Sequence, residues 1–383
     1  MSIDYFNDID DSDEKDSTGE KIYFEDSYGD GELDPVEIPK EVRHLRTQSY
    51  DKSVRDLVAM IDDEDIDLDP DYQRNYLWDN KKASLLIESI LLNIPIPVIY
   101  VAENDESQWN VIDGLQRLTS LDRYFKNEFK LTRLDVLNEL NGLTYHNLPP
   151  KAKRILNNGM FRVVVLLAET HPEIKYDVFM RLNTGSVKLN EQELRNCLYR
   201  GSFNSLIKEC RNNKFFQSCL KIKEPHKRFA DAELILRFFA IRDNLDLNTG
   251  ELNYPGRMKT FLNNHMVKNQ NLSESKICEF RSLFLHTMEN ISLVLGSTAF
   301  RRVLADGSRE VRINRSLSDI VMLCFSILDR KTCTEHKEEL ENIISNLCKD
   351  PVFIDSITQG TSDSKKIDTR LKLALKAFDK YQL

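Results

Sequence analysis

A single glycine joins two opposite periodicities at the most constrained point of this chain. Trp109–Asp113 reads as a strand, and Gly114–Phe125 reads as an amphipathic helix with Leu115, Leu118, Leu121 and Phe125 toward the core. Strand, tight turn and helix start is a geometry that holds phosphate. The first N–H groups of a helix lack internal partners, and the macrodipole adds partial positive charge there. Gly114 allows close backbone approach, and Gln116, Arg117 and Thr119 bring further donors, Arg117 as a rigid fork. Asp113 is placed to hold a metal ion or orient a water. The plainer alternative is a surface turn in which Arg117 pairs with Asp113. On the helix, Gln116, Ser120 and Arg123 are expected on the outer face and Arg117 on the flank.

The flanking sequence predicts an α+β protein: a small mixed sheet with helices over residues 50–190, then an all-α helical domain over 191–383. Ser53 caps a helix carrying Val54, Leu57, Val58 and Ile61, and order is expected to begin near that residue. Ile66–Leu68 reads as a short strand. Pro70 breaks it and leads into the Tyr72-Gln73-Arg74 loop. Asp79 caps the next helix. Pro95 and Pro97 place the following strand, running to Val101, at an edge or mark its start. Arg162–Leu167 reads as a buried strand. A helix from Glu173 to Leu182 ends at Asn183-Thr184-Gly185, where Gly185 suits a left-handed cap. Asn190 and Glu193 form a capping box. From there the pattern is helical to Leu383.

Charge is distributed unevenly. The net of −9 conceals 13 acidic residues against 2 lysines in residues 1–35. Residues 1–49 therefore read as an acidic, largely disordered tail. Residues 151–228 hold 16 Lys or Arg against 7 Asp or Glu. That block suits nucleic acid, and equally suits solvated helix faces. No apolar run approaches the ~18 residues of a membrane span. The start of the chain shows no secretory signal, and the seven dispersed cysteines read as reduced thiols, so a cytoplasmic location is expected.

Nucleotide chemistry needs a grip on the base as well as on phosphate. Tyr72 or Tyr76 can stack on a base and Arg74 can face phosphate; the alternative is an aromatic loop closing the core, anchored by Trp78. Arg181 and Asn183 end a helix after a sheet strand and form a third candidate, against simple C-terminal capping by Arg181. Nuclease signatures are missing from the sequence. No two histidines fall within twenty residues of each other, and residues 200–383 hold no compact His-Asn-His set. A Gly-x-x-x-x-Gly-Lys loop and zinc spacings are also absent.

Several ordered motifs carry a family resemblance over residues 50 to 383. They are Tyr72-Gln73-Arg74-Asn75-Tyr76-Leu77-Trp78, Leu86-Ile87-Glu88-Ser89-Ile90-Leu91, Pro95-Ile96-Pro97 and Val111-Ile112-Asp113-Gly114-Leu115-Gln116-Arg117-Leu118-Thr119. Phe179-Met180-Arg181-Leu182-Asn183-Thr184-Gly185 and Leu189-Asn190-Glu191-Gln192-Glu193-Leu194-Arg195-Asn196 follow, then blocks at Phe229–Phe238, Tyr254–Met266 and Asn314–Phe325. Together they resemble the N-terminal domain of GmrSD-type restriction systems, in the ParB/sulfiredoxin-like superfamily, without the HNH nuclease domain that often accompanies it. The family motif is Asp-Gly-Gln-Gln-Arg; Leu115 here replaces the first Gln.

The resemblance implies a ParB-like sheet and a nucleotide-binding, NTP-hydrolysing sensor subunit of a modification-dependent DNA restriction or anti-phage system. A separate nuclease would do the cutting. It implies catalytic roles for Asp113, Gln116 and Arg117, with Mg²⁺ at Asp113 left open. Tyr72, Gln73, Arg74, Gly114, Thr119, Arg181 and Asn183 would bind the nucleotide. Implied partners are DNA, including modified foreign DNA, a nuclease or defence protein, and a second copy of the chain. Two alternatives stay open: a non-catalytic DNA-binding adaptor, and a ParB-like DNA-nicking nuclease.

Overall fold

A computed structural model describes residues 45–68, 76, 78–104, 106–182, 190–247, 249–304 and 306–381, with the side chains of 172, 173, 179, 181 and 182 outside the description. The expected acidic tail up to residue 44, the Tyr72-Gln73-Arg74 loop, Asn183 and the Gly185 cap lie outside the described residues. The class is α+β, with a mixed sheet early in the chain and helices after it. The chain divides into two compact units, one over Ile38–Leu189 and one containing Asn190–Leu383.

In the first unit, β1 (Thr47–Ser53), β2 (Ile66–Asp67), β3 (Ile99–Glu103), β4 (Trp109–Asp113) and β5 (Met160–Leu166) form a sheet of order β1-β5-β3-β4-β2. β1 runs antiparallel to β5, β3 parallel to β5 and antiparallel to β4, and β2 parallel to β4. The helices are α1 (Val54–Asp62), α2 (Asn80–Leu91), α3 (Leu115–Phe125), α4 (Pro150–Asn157) and α5 (Pro172–Leu182).

Local cap chemistry sets several helix starts. Ser53 Oγ accepts from Asp56 N while the Asp56 carboxylate accepts from Ser53 N, a complete capping box. Asp79 accepts from Lys82 N at the start of α2. The core packs Val54, Leu57, Ile87, Ile99, Val101, Leu118, Leu121, Phe161 and Val163, all fully or nearly fully buried.

One expectation needs correction, and of the two places open to the prolines the structure takes the strand start. The chain is already ordered at Thr47, ahead of Ser53, because β1 pairs along its full length with β5. β1 has no buried residue, so its placement comes from the ladder and not from an apolar face of its own. The two prolines do not mark an edge: β3 lies mid-sheet between β5 and β4. Pro95 and Pro97 precede the first paired residue, Ile99, where a missing N–H costs the ladder nothing.

The second unit contains α6 (Glu191–Leu198), α7 (Ser202–Cys210), α8 (Lys214–Leu220), α9 (Ala230–Asn244), α10 (Met258–Asn269), α11 (Glu274–Val294), α12 (Arg315–Ser326), α13 (Arg330–Glu335), α14 (Lys337–Leu347), α15 (Pro351–Thr358) and α16 (Ser364–Phe378). It is not helical throughout: β6 (Leu245–Asp246) and β7 (Glu251–Leu252) form a small antiparallel hairpin. Asn190 and Glu193 form the capping box of α6. The core is aromatic, with Phe203, Phe216, Phe239 and Phe284 fully buried and the Phe239 and Phe280 rings edge to face at 5.0 Å. Burial pushes the Cys210, Cys219 and Cys324 thiols up to about 12, which suits packing groups and not nucleophiles.

Glu88 ties α2 to the segment after α3. Its carboxylate accepts from Asp135 N at 3.1 Å, Val136 N at 2.8 Å and Leu137 N at 2.7 Å. Burial opposes the charged form, but the bonds from Leu137, Val136 and Asp135 outweigh it and hold the carboxyl below the ordinary 4.5. A depressed folded pKa contributes stability that is present above the ordinary value and lost as pH falls through the lower, folded one. Glu88→Gln is therefore expected to cost about 1–3 kcal/mol at neutral pH, with the gap to wild type closing on acidification. Urea unfolding across an acidic pH series measures both.

Candidate functional site

Gly114 adopts φ +103° and ψ 5°, in the left-handed region, as the N-cap of α3. A Cβ there would sit 3.0 Å from Ile99 Cγ1 and 3.3 Å from Arg117 Nη2. The turn thus requires glycine on two grounds, conformation and space. As the N-cap, Gly114 has no side chain with which to close the first turn. Leu118 N closes the first helical bond of α3, to Gly114 O at 2.9 Å, so the ladder starts one turn into the helix.

Arg117 folds back beneath this turn. Nη2 donates to Asp113 Oδ2 at 2.7 Å and to Val98 O at 3.3 Å, and Nη1 donates to Pro97 O. The residue is only 8% exposed, whereas the Asp113 side chain is 44% exposed. Burial lowers the Arg117 pKa, and the Asp113 charge and hydrogen bond act against that drop. The Arg117–Asp113 pair expected at the surface is thus an inward bracket. It fastens the start of α3 to the two carbonyls that lead into β3.

The outer face of α3 is also covered. Ser120 is fully buried and Thr119 and Asp122 nearly so, contrary to the exposed face expected for Ser120. Tyr76 supplies the cover: its hydroxyl lies 2.8 Å from Ser120 Oγ, and the Arg123 guanidinium sits 4.6 Å from its ring centroid. Trp78 N donates to Gln116 Oε1 at 3.3 Å, and Trp78 packs against the core. Tyr76 therefore packs against Arg123 as well as Ser120.

The structure brings Asp113, Gly114, Gln116 and Arg117 onto one turn, with Thr119 buried in the next turn of the helix. Tyr72, Gln73, Arg74 and Asn183 lie outside the described residues, as does the side chain of Arg181, whose backbone belongs to the last turn of α5. The carbonyls of Pro97 and Val98 were missed as partners of Arg117. Their signal in sequence is the Pro95/Pro97 spacing, which leaves carbonyls just ahead of the ladder. Among the described residues no group of three His, Cys, Asp or Glu is placed to hold a metal ion. Asp113 offers one carboxylate that already binds a guanidinium, a poor donor set for Mg²⁺.

The helical unit holds a buried charge network that sequence did not reveal. Arg237 grips Asp319 through Nε at 2.8 Å and Nη2 at 2.5 Å, and Arg370 Nη2 reaches the same carboxylate at 3.3 Å. Arg195 donates to Asn263, Gln192 and Glu191 at 3.0, 3.3 and 2.9 Å. Glu233 lies 4.0 Å from both Arg195 and Arg237 and 3.4 Å from Arg315. The only sequence hint is an arginine inside the apolar run Leu234–Ile241. This network also reduces the basic block over residues 151–228: Arg195 is wholly buried, Arg211 is paired with Asp231, and Arg228 with Glu193.

Residues 54–200 match the model of a known family, the GmrSD restriction endonuclease N-terminal domain. That segment is thus similar to a domain of DNA restriction enzymes. No curated protein and no solved structure matches the chain. Among the described residues no helix is long and apolar enough to cross a membrane.

Two stability changes follow from this geometry. Gly114→Ala forces both the positive φ and the Ile99 clash and is expected to cost about 1–3 kcal/mol, read as a shift of the urea midpoint. Arg237→Leu leaves Asp319 with Arg370 alone and is expected to cost about 3 kcal/mol or more in the same assay.

Proposed function

We propose that this chain is the nucleotide-binding sensor component of a DNA restriction or anti-phage system directed at modified DNA, and that a separate nuclease cuts. The observation that carries this reading is the start of α3, where a left-handed glycine serves as N-cap and brings no side chain to the first turn. It lies inside the segment that matches a restriction-endonuclease domain. A ParB-like kinship of the sheet is part of the same proposal. The N–H groups of Leu115, Gln116 and Arg117 would hold phosphate oxygens. Asp113, whose side chain is 44% exposed, would orient the attacking water. Arg117 acts chiefly from beneath, setting the position of Asp113 and of the helix start.

A second reading has a specific observation behind it. Leu115 stands where the family motif has Gln, and the Arg117 guanidinium is turned toward carbonyls and Asp113. Both favour binding without hydrolysis, as in a DNA-binding adaptor.

Calorimetry and phosphate release with ATP and GTP separate the two. The sensor reading expects binding heat and slow turnover. Asp113→Asn keeps the side chain's size and an acceptor for Arg117, and is expected to lower turnover about a hundredfold with little change in affinity. Absence of heat with every nucleoside triphosphate, alongside intact DNA binding, would decide for the adaptor.

A further inference from the structure

Pairing inside the helical unit engages some of its basic residues and leaves others at the surface. Arg211 and Arg228 are held by Asp231 and Glu193. Lys214 and Lys223 are exposed, and Lys221 is half-buried. Glu224 is the only acidic residue from 211 to 228. A buried arginine extends this surface. Arg301 donates to Cys219 O at 3.3 Å and Leu220 O at 3.1 Å, at the end of α8, and to Val311 O at 3.3 Å. One guanidinium therefore clasps both stretches of backbone, and the next residue along each is basic: Lys221 and the exposed Arg312. Phe215, 43% exposed, and Val311, 59% exposed, lie beside Lys214 and Arg312 in the chain.

We propose that Lys221 and Arg312, brought together by Arg301, and the exposed Lys214 and Lys223 of the same stretch form the surface with which the chain grips the phosphate backbone of duplex DNA. It rests on the DNA-directed part of the function proposed above. A protein partner is the weaker fit, because lysine is depleted at the centre of protein interfaces. Backbone phosphates instead favour mobile point charges at the surface. The grip is sequence-independent and sensitive to salt. Choice of target DNA has to come from elsewhere in the system.

Fluorescence anisotropy of a labelled duplex, on the full chain at several salt concentrations, tests this. The triple change Lys214→Glu, Lys223→Glu and Arg312→Glu is expected to weaken binding at least about tenfold on every duplex. The slope of log affinity against log salt should flatten by about 0.9 for each phosphate that is no longer neutralised. The same positions changed to Gln should give a smaller loss with an unchanged melting temperature, which separates an effect of charge from an effect on folding. Unchanged affinity and slope in both variants, or no duplex binding by wild type, overturns the proposal. Equal affinity for poly-glutamate of matched charge assigns the surface to an acidic protein and also overturns it. Nucleotide heats on the same samples keep the two readings apart. Heat without DNA binding defeats this surface alone, and DNA binding here without heat defeats the nucleotide site alone.

Discussion

The Arg117 guanidinium holds the candidate site together. It joins Asp113 at the end of β4 to the Pro97 and Val98 carbonyls ahead of β3, across the start of α3. Gly114 makes that fold-back sterically feasible, because a Cβ would press on Ile99 and on the guanidinium itself. Strand, turn and helix are therefore locked by one buried cation and one missing side chain. A helix start fixed in this way is preorganised: its donors need little rearrangement to receive an anion. This ordering of roles differs from a guanidinium reaching outward to the ligand, and under the proposed function it would make the backbone the principal binding group.

The helical unit uses buried charge differently. Asp319 receives two arginines from two other helices, Arg237 on α9 and Arg370 on α16, and burial pulls the Arg370 pKa down to about 10. Arg370 also donates to the carbonyls of Ser356 and Thr361, so its charge is distributed over several acceptors. Such networks are costly to desolvate and add little net stability over an apolar core, but breaking one member leaves an uncompensated charge. Their effect here is to fix which helices meet. The exposed Lys214, Lys223 and Arg312 stand outside that buried network.

What was legible in sequence was local. The Trp109–Asp113 strand, the helix that follows it, and the Ser53, Asp79 and Asn190 caps all rest on groups within a few residues of one another. β1 was illegible because Thr47–Ser53 has no buried face, and its partner β5 lies more than a hundred residues away. Ser120 was read as exposed because the group that covers it, Tyr76, comes from a distant loop. The inward turn of Arg117 depends on carbonyls some twenty positions upstream, and the Arg237–Asp319 pair spans 82 residues. Within the site, residue identity could be read from sequence, but not which way each side chain faces.

The central claim is that the first N–H groups of α3 receive a nucleotide's phosphates. Amide proton–nitrogen correlation spectra of the isotope-labelled chain, recorded while a nucleoside triphosphate is added, address it most directly. The account expects the Leu115, Gln116 and Arg117 amides to move downfield together and to saturate along one binding curve. Saturable shifts confined to other amides, with these three unmoved, would contradict it.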